Sequence, residues 1–262
     1  YNMTDLAELV VQQSCEFGLG SDGDGDRIGA VTETGAFVYP DRLVALLVGD
    51  VLADLDENAT ANQRTVIYDV KCSMNVESAI LAAGGEPLMA RTGHSFMKRA
   101  LADRPGCRFA AEMSGHIFPA DRGWYGFDCS LYNAARLVEF WSRQTVDGAS
   151  FGEALDAVAP NLPTTGECKV PCAEDDKDRV VAGITAAFAD LPHSTVDGVR
   201  VRFEDDKGHL QGWYLARRSN TEAVLVMRAE ARTEAVLQDI RARIEQRVPD
   251  LIDVSDFLDA FA

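Results

Sequence analysis

The chain has 262 residues, 47% of them hydrophobic, enough to bury a sizeable core in one large domain or two ordinary ones. Its formal charge of −17, from 25 basic against 42 acidic residues, argues against nucleic-acid binding, because a phosphate backbone needs a basic face. No run of about 18 apolar residues is present to cross a membrane, so no membrane association and a cytoplasmic location are expected.

In chain order, residues 4–16 predict a helix with Thr4 as N-cap and acids in its first turn. A short strand then runs into Ser21, and IGAVTETGAFVY reads as a hairpin turning at Thr34 and Gly35. Residues 41–56 predict a helix with the apolar stripe Leu43, Leu46, Leu47 and Val51. Next come strand TVIYDV, helix 75–83, strand EPLMA, helix 95–101, strand RFAAE and an amphipathic helix over 128–144. This alternation predicts an α/β fold with a mixed, mostly parallel sheet and helices on both faces. Pro160, Pro163 and Gly166 then interrupt the pattern as a linker does. Beyond them, strands near 167–170, 198–203, 212–215 and 223–229, with helices 178–189 and from Thr233, predict a smaller α+β domain. The six cysteines form no CxxC pair, and Cys168 and Cys172 have no histidine pair at zinc-finger spacing. They read as small buried hydrophobes of a reduced protein. The first residue is Tyr1, as in a fragment or trimmed product, and no signal peptide is expected.

Four stretches carry chemistry. SDGDGDRIGAV places Asp22, Asp24 and Asp26 at alternate positions, where their mutual repulsion calls for a cation. An EF-hand shares D-x-D-x-D and would find Glu33 at its twelfth position, but it needs Gly at the sixth, where Arg27 stands. Three carboxylates on a short loop between strands suit Mg²⁺, which keeps coordination positions open for phosphate oxygens. VKCSMN followed by RTGHSFMKRAL places Lys71 at a strand end and His94 at a helix start, where open α/β sheets bind ligands. Alone, Lys71 reads as a surface charge and His94 as a polar cap. AAEMSGHIFPADRGWYGFDCS offers Glu112, Ser114 and His116 on a post-strand loop suited to sugar hydroxyls, with Trp124 and Tyr125 able to pack under a ring or in a core. ARRSNTEAVLVMRAE sets Arg217, Ser219, Asn220 and Thr221 between two strands, a phosphate cradle of guanidinium, hydroxyls and backbone N–H groups. A plain hairpin turn explains Asn220 but not the arginine and both hydroxyls.

Taken in order, DGDGDR, the lysine followed by TGHS, EMSGH with WYGFD, and RRSNTE resemble the α-D-phosphohexomutases, most closely the bacterial phosphomannomutase/phosphoglucomutase branch, over nearly the whole chain. The resemblance implies hexose phosphate substrates, a Mg²⁺ cofactor on Asp22, Asp24 and Asp26, and Arg27 beside the phosphoryl site. It further implies proton transfer by Lys71 and His94, sugar-hydroxyl binding by Glu112 and Ser114 with His116 close by, and a grip on the non-reacting phosphate by Arg217, Ser219, Asn220 and Thr221. Met113, where phosphoglucosamine mutases usually carry Gln, and Ser219-Asn220-Thr221, where they carry SGT, point to mannose or glucose phosphates. Ala223 departs from the family's usual proline.

Family members have four domains, and a phosphoserine in a TASHNP-like motif of the first hands its phosphoryl group to a hexose 1- or 6-phosphate through a bisphosphate intermediate. No such motif occurs here. The resemblance therefore implies a C-terminal portion: residues 1–36 as a remnant of the second domain with the metal loop, 37–160 as the α/β sugar-binding domain, and 161–262 as the phosphate-binding domain. The N-terminal mutase domains are expected partners in the complete enzyme, with closure hinging at 160–166. Without them the expectation is a chain inactive alone, binding Mg²⁺ weakly. The alternatives are a non-catalytic phosphosugar-binding module or one half of a split mutase.

Overall fold

A computed structural model of the chain describes residues 3–53, 55–144 and 148–261. Tyr1, Asn2, Asp54, 145–147 and Ala262, which fall within the expected regions 1–36, 41–56, 37–160 and 161–262, lie outside the described residues. The chain divides into two compact units, Tyr1–Pro160 and Asn161–Ala262.

The first unit opens with α1 (Thr4–Gln13). Met3, not Thr4, is its N-cap, and the helix stops short of residue 16 because Ser14 turns left-handed (φ 52°) and bonds back to the Val10 and Val11 carbonyls. Next come β1 (Phe17–Ser21), β2 (Ile28–Thr32) and β3 (Phe37–Val38), antiparallel in that order. Gly18 lets α1 approach this sheet, since a Cβ there would lie 2.6 Å from Val10 Cγ2. Leu9 and Val11 on the outer side of α1 remain about half exposed.

There follow α2 (Pro40–Ala53), α3 (Ala61–Arg64), β4 (Thr65–Asp69), α4 (Met74–Ala82), β5 (Glu86–Ala90), α5 (His94–Ala102), β6 (Phe109–Ala111), β7 (Ile117–Pro119), α6 (Ser130–Gln144) and α7 (Phe151–Val158). The sheet order is β5-β4-β6-β7, with β4 parallel to both neighbours and β7 antiparallel to β6. Alternation along β4 sends Val66 and Tyr68 into the core shared with α2 and α4, while Ile67 packs with Met97 and Leu101 of α5 on the other face. Helices thus cover both faces, as the α/β pattern predicts.

The expected stripe of Leu43, Leu46, Leu47 and Val51 is buried, and α2 is buried nearly all round besides, because α4, α6 and α7 surround it. Its charges are matched inside. Asp41 accepts from Ser73 N at 2.8 Å, and Arg42 donates to Asp156 at 2.6 Å and to the Ala159 carbonyl at 2.7 Å. Asp50 accepts from Arg136 and Arg143 at 2.8 and 2.7 Å.

The second unit contains β8 (Cys168–Pro171), α8 (Lys177–Ala187), β9 (His193–Ser194), β10 (Val199–Glu204), β11 (Leu210–Arg218), β12 (Val224–Ala231), α9 (Glu234–Arg247) and α10 (Ser255–Asp259). Its sheet is antiparallel throughout, in the order β8-β12-β11-β10-β9. Val201, Tyr214 and Met227 on one face meet Ile184 of α8, Ile240 of α9 and Phe257 of α10. The other face carries Arg200 stacked 3.9 Å over Trp213, whose indole N–H donates to Glu230. All six cysteines are free thiols, and Cys15 is exposed rather than buried, since it follows the end of α1 at the surface.

Candidate functional site

The aspartate loop joins β1 to β2, with Ser21 paired to Ile28. Its flanks are antiparallel strands, so the helix–loop–helix of an EF-hand is ruled out. Asp22 Oδ1 accepts from Arg27 N at 3.1 Å and Oδ2 from Arg27 Nε at 2.5 Å. Partial burial pushes the Asp22 carboxyl up, but the Arg27 backbone N–H and guanidinium outweigh it and hold it down at about 2. One carboxylate oxygen from each of Asp22, Asp24 and Asp26 lies within 4.8 Å of the others. Asp26 Oδ1 is buried with no hydrogen-bond partner among the described residues, Arg27 Nε being 3.8 Å away. Three clustered carboxylates with an oxygen left over fit a hard cation.

Two contacts fix this loop. Ser130, at the start of α6, donates its N–H and its hydroxyl to the Gly25 carbonyl, both at 2.9 Å, and bonds the Ser21 hydroxyl at 2.6 Å. Ile28 N donates to the Gly115 carbonyl at 3.2 Å, and Arg27 forms a β-bridge with His116. The aspartate loop is thereby tied to the EMSGH loop. His116 Nδ1 bonds Asp128 Oδ2 at 2.9 Å and lies 3.7 Å from Asp26, while Lys98 pairs with the other Asp128 oxygen at 2.6 Å. The His94 ring stacks on His116 with centroids 5.7 Å apart.

His94 opens α5 after Gly93, whose φ of 132° favours glycine and whose N–H donates to Glu112 Oε1 at 2.5 Å. Lys71 is buried in the turn after β4. Glu112 is 2% exposed. Burial first, and the Asp69 carboxylate second, push its carboxyl up to about 7 against the pull of the Gly93 N–H and Lys71. Ser114 is half-buried between Glu112 and His116. Trp124 stacks on Tyr132 with centroids 4.1 Å apart, whereas Tyr125 is 81% exposed and belongs to no core.

In the second unit, Arg217 ends up buried, with Nε donating to Asp197 at 2.9 Å and Nη2 lacking a partner among the described residues. Ser219 Oγ accepts from Glu222 N at 3.2 Å and rounds the turn, while Asn220 and Thr221 are exposed. Behind the loop lies Lys177, fully buried.

Sequence reasoning missed Asp69, Lys98, Asp128, Ser130, Lys177 and Asp197. Asp69 accepts from the Thr92 hydroxyl at 2.9 Å and from Met113 N at 3.3 Å, linking two site loops. An acid ending a parallel strand was the available signal for it, and the WYGFD motif for Asp128.

Comparison with known proteins follows this geometry closely. Residues 39–160 match the model of phosphoglucomutase/phosphomannomutase alpha/beta/alpha domain III, and residues 167–247 that of the phosphoglucomutase/phosphomannomutase C-terminal domain. The phosphomannomutase/phosphoglucomutase of Pseudomonas syringae pv. tomato is 39% identical over 95% of this chain and 51% of its own length. A phosphoglucomutase of Neisseria gonorrhoeae is also 39% identical, over 93% of this chain and 50% of its own. The crystal structure of a phosphoglucomutase/phosphomannomutase family protein from Burkholderia thailandensis superposes with a TM-score of 0.80 at 36% identity, covering 95% of this chain and 50% of that one. The chain spans about half the length of these relatives, and with both models matched in order across most of it, it belongs to the phosphoglucomutase/phosphomannomutase family.

Proposed function

We propose that the chain is the C-terminal portion of a phosphohexomutase that interconverts the 1- and 6-phosphates of mannose or glucose through a phosphoserine and a hexose bisphosphate. The observation carrying this reading is the β-bridge between Arg27 and His116, which joins the aspartate loop to the sugar-facing loop. Residues 1–36 then close the second mutase domain, 37–160 form the sugar-binding domain and 161–262 the phosphate-binding domain.

Asp22, Asp24 and Asp26 would hold Mg²⁺, which when bound supplies charge neutralisation for phosphoryl transfer. Arg27, steered by Asp22, adds a cation beside the phosphoryl position. Lys71 and His94 relay the proton of the reacting hydroxyl. Glu112 stays protonated up to about 7, so it can donate to one sugar oxygen and accept from another hydroxyl, helped by Ser114 and His116. Arg217, Ser219, Asn220 and Thr221 bind the phosphate that is not reacting.

These residues contain no TASHNP-like serine motif, so conversion of glucose 1-phosphate to glucose 6-phosphate by this chain alone is expected to be negligible. Robust turnover by it would overturn that part of the reading. Calorimetry should show hexose phosphate binding, and its absence would overturn the function itself. Mg²⁺ should bind weakly, and Asp26→Asn should reduce that binding by more than the roughly 10–100-fold typical of losing an outer partner. A second reading is a non-catalytic phosphosugar-binding module or one half of a split mutase. The module predicts binding without rescue of activity when the N-terminal domains of a relative are added, whereas half of a split mutase predicts rescue.

A further inference from the structure

Lys177 is 0% exposed, yet its ammonium has three acceptors: Glu174 Oε2 at 2.5 Å, the Ser219 carbonyl at 3.0 Å and the Glu222 carbonyl at 2.6 Å. An ammonium has three N–H donors, so its capacity is filled. Two of the three acceptors are main-chain carbonyls of the turn between β11 and β12. Carbonyl oxygens are the groups in such a turn that repel an anion. A trans peptide sets its N–H opposite its carbonyl. Drawing the Ser219 carbonyl back onto Lys177 therefore aims the Asn220 N–H away from Lys177, and the Glu222 carbonyl does the same for the Ala223 N–H. With the Thr221 and Glu222 N–H groups turned onto Ser219 Oγ, the Asn220 and Ala223 N–H groups are those directed away from the buried ammonium.

We propose that Lys177 is the positioning residue of the 219–223 loop: it touches no ligand, but it holds the loop's carbonyls inward and thereby presents its N–H and hydroxyl groups to a phosphate. This rests on reading the loop as a phosphate site. Arg218 provides an internal contrast, since its pairs with Asp178 and Glu174 lie at the surface and take no main-chain carbonyl of the turn.

The test uses the whole chain, with glucose 1-phosphate and inorganic phosphate as calorimetric probes and the Asn220 and Thr221 amide resonances as a second readout. Lys177→Met should weaken both probes about tenfold, as loss of a charge-assisted contact does, and shift those amides in the ligand-free protein. Lys177→Arg should recover part of the affinity. If Lys177→Met does not fold, Lys177→Gln, which keeps an amide donor without the charge, should give an intermediate loss. A wild-type chain that binds neither probe overturns the phosphate reading of the loop. Wild-type binding matched by Lys177→Met or Lys177→Gln, whatever the change in melting temperature, overturns the role of Lys177 alone.

Discussion

The aspartate loop and the 219–223 turn both connect antiparallel neighbours, β1 to β2 and β11 to β12, but they are braced by opposite kinds of group. Behind the first, a neutral serine takes the Gly25 carbonyl, and three carboxylates cluster in the loop itself. Behind the second, a buried ammonium takes two carbonyls, and the exposed side carries Asn220 and Thr221. A loop that gathers cations supplies its charge from side chains and needs only a polar brace. If the second loop receives an anion, as proposed, it must also turn its own carbonyls away, and Lys177 would do this.

Substitutions can break or sharpen this contrast. The largest effect is expected from Asp197→Ala, which strands the buried Arg217 guanidinium; breaking such a pair costs about 3–5 kcal/mol, read as a lower midpoint in urea unfolding. An unchanged midpoint would show that Arg217 has another anchor. Ser130→Ala removes the hydroxyl bonds to Gly25 and Ser21 and should cost roughly 1–2 kcal/mol, with Mg²⁺ binding weakened as well. Loss of stability with unchanged Mg²⁺ affinity would separate the brace from the carboxylates.

Glu112→Gln tests protonation. The folded carboxyl holds its proton up to about 7 against an ordinary 4.5, so the folded state binds more protons than the unfolded state between those values. The Glu112 contribution to stability therefore falls as pH rises through that window and is flat above it. The glutamine variant should lose this part of the slope, measured by unfolding at several pH values. An identical slope in both proteins would mean Glu112 titrates normally. Arg218→Ala should change melting least, since its partners Glu174 and Asp178 are exposed. A large drop there would erase the distinction between surface pairs and the buried ammonium.

Much of this was legible in the sequence because the informative groups sit where local pattern is strongest. Lys71, His94 and Glu112 follow strand ends or open a helix, so periodicity placed them at one edge of the parallel sheet, while their expected roles came from the family resemblance. What stayed hidden depends on contacts distant in sequence. Helix α2 reads as striped because three of its inward residues are charged, and only their partners on other segments show that it is enclosed nearly all round. Lys177 sits in EDDKDR, which reads as a solvated charge run, and its burial is set by carbonyls more than forty residues away. Arg217 was singled out for its guanidinium, but nothing in its neighbourhood of the chain announces Asp197.

The bridge between Arg27 and His116 has a kinetic consequence. Its two sides are far apart in the sequence of the first unit, so closing it requires a long chain segment to be organised first, and such distant pairings form slowly. The helices and the β4–β5 pairing can form from nearby residues, but the aspartate loop meets His116 only once the unit has closed. During refolding, helical signal should therefore return before the environment of His116, leaving a species that looks folded by its helices and has no assembled centre.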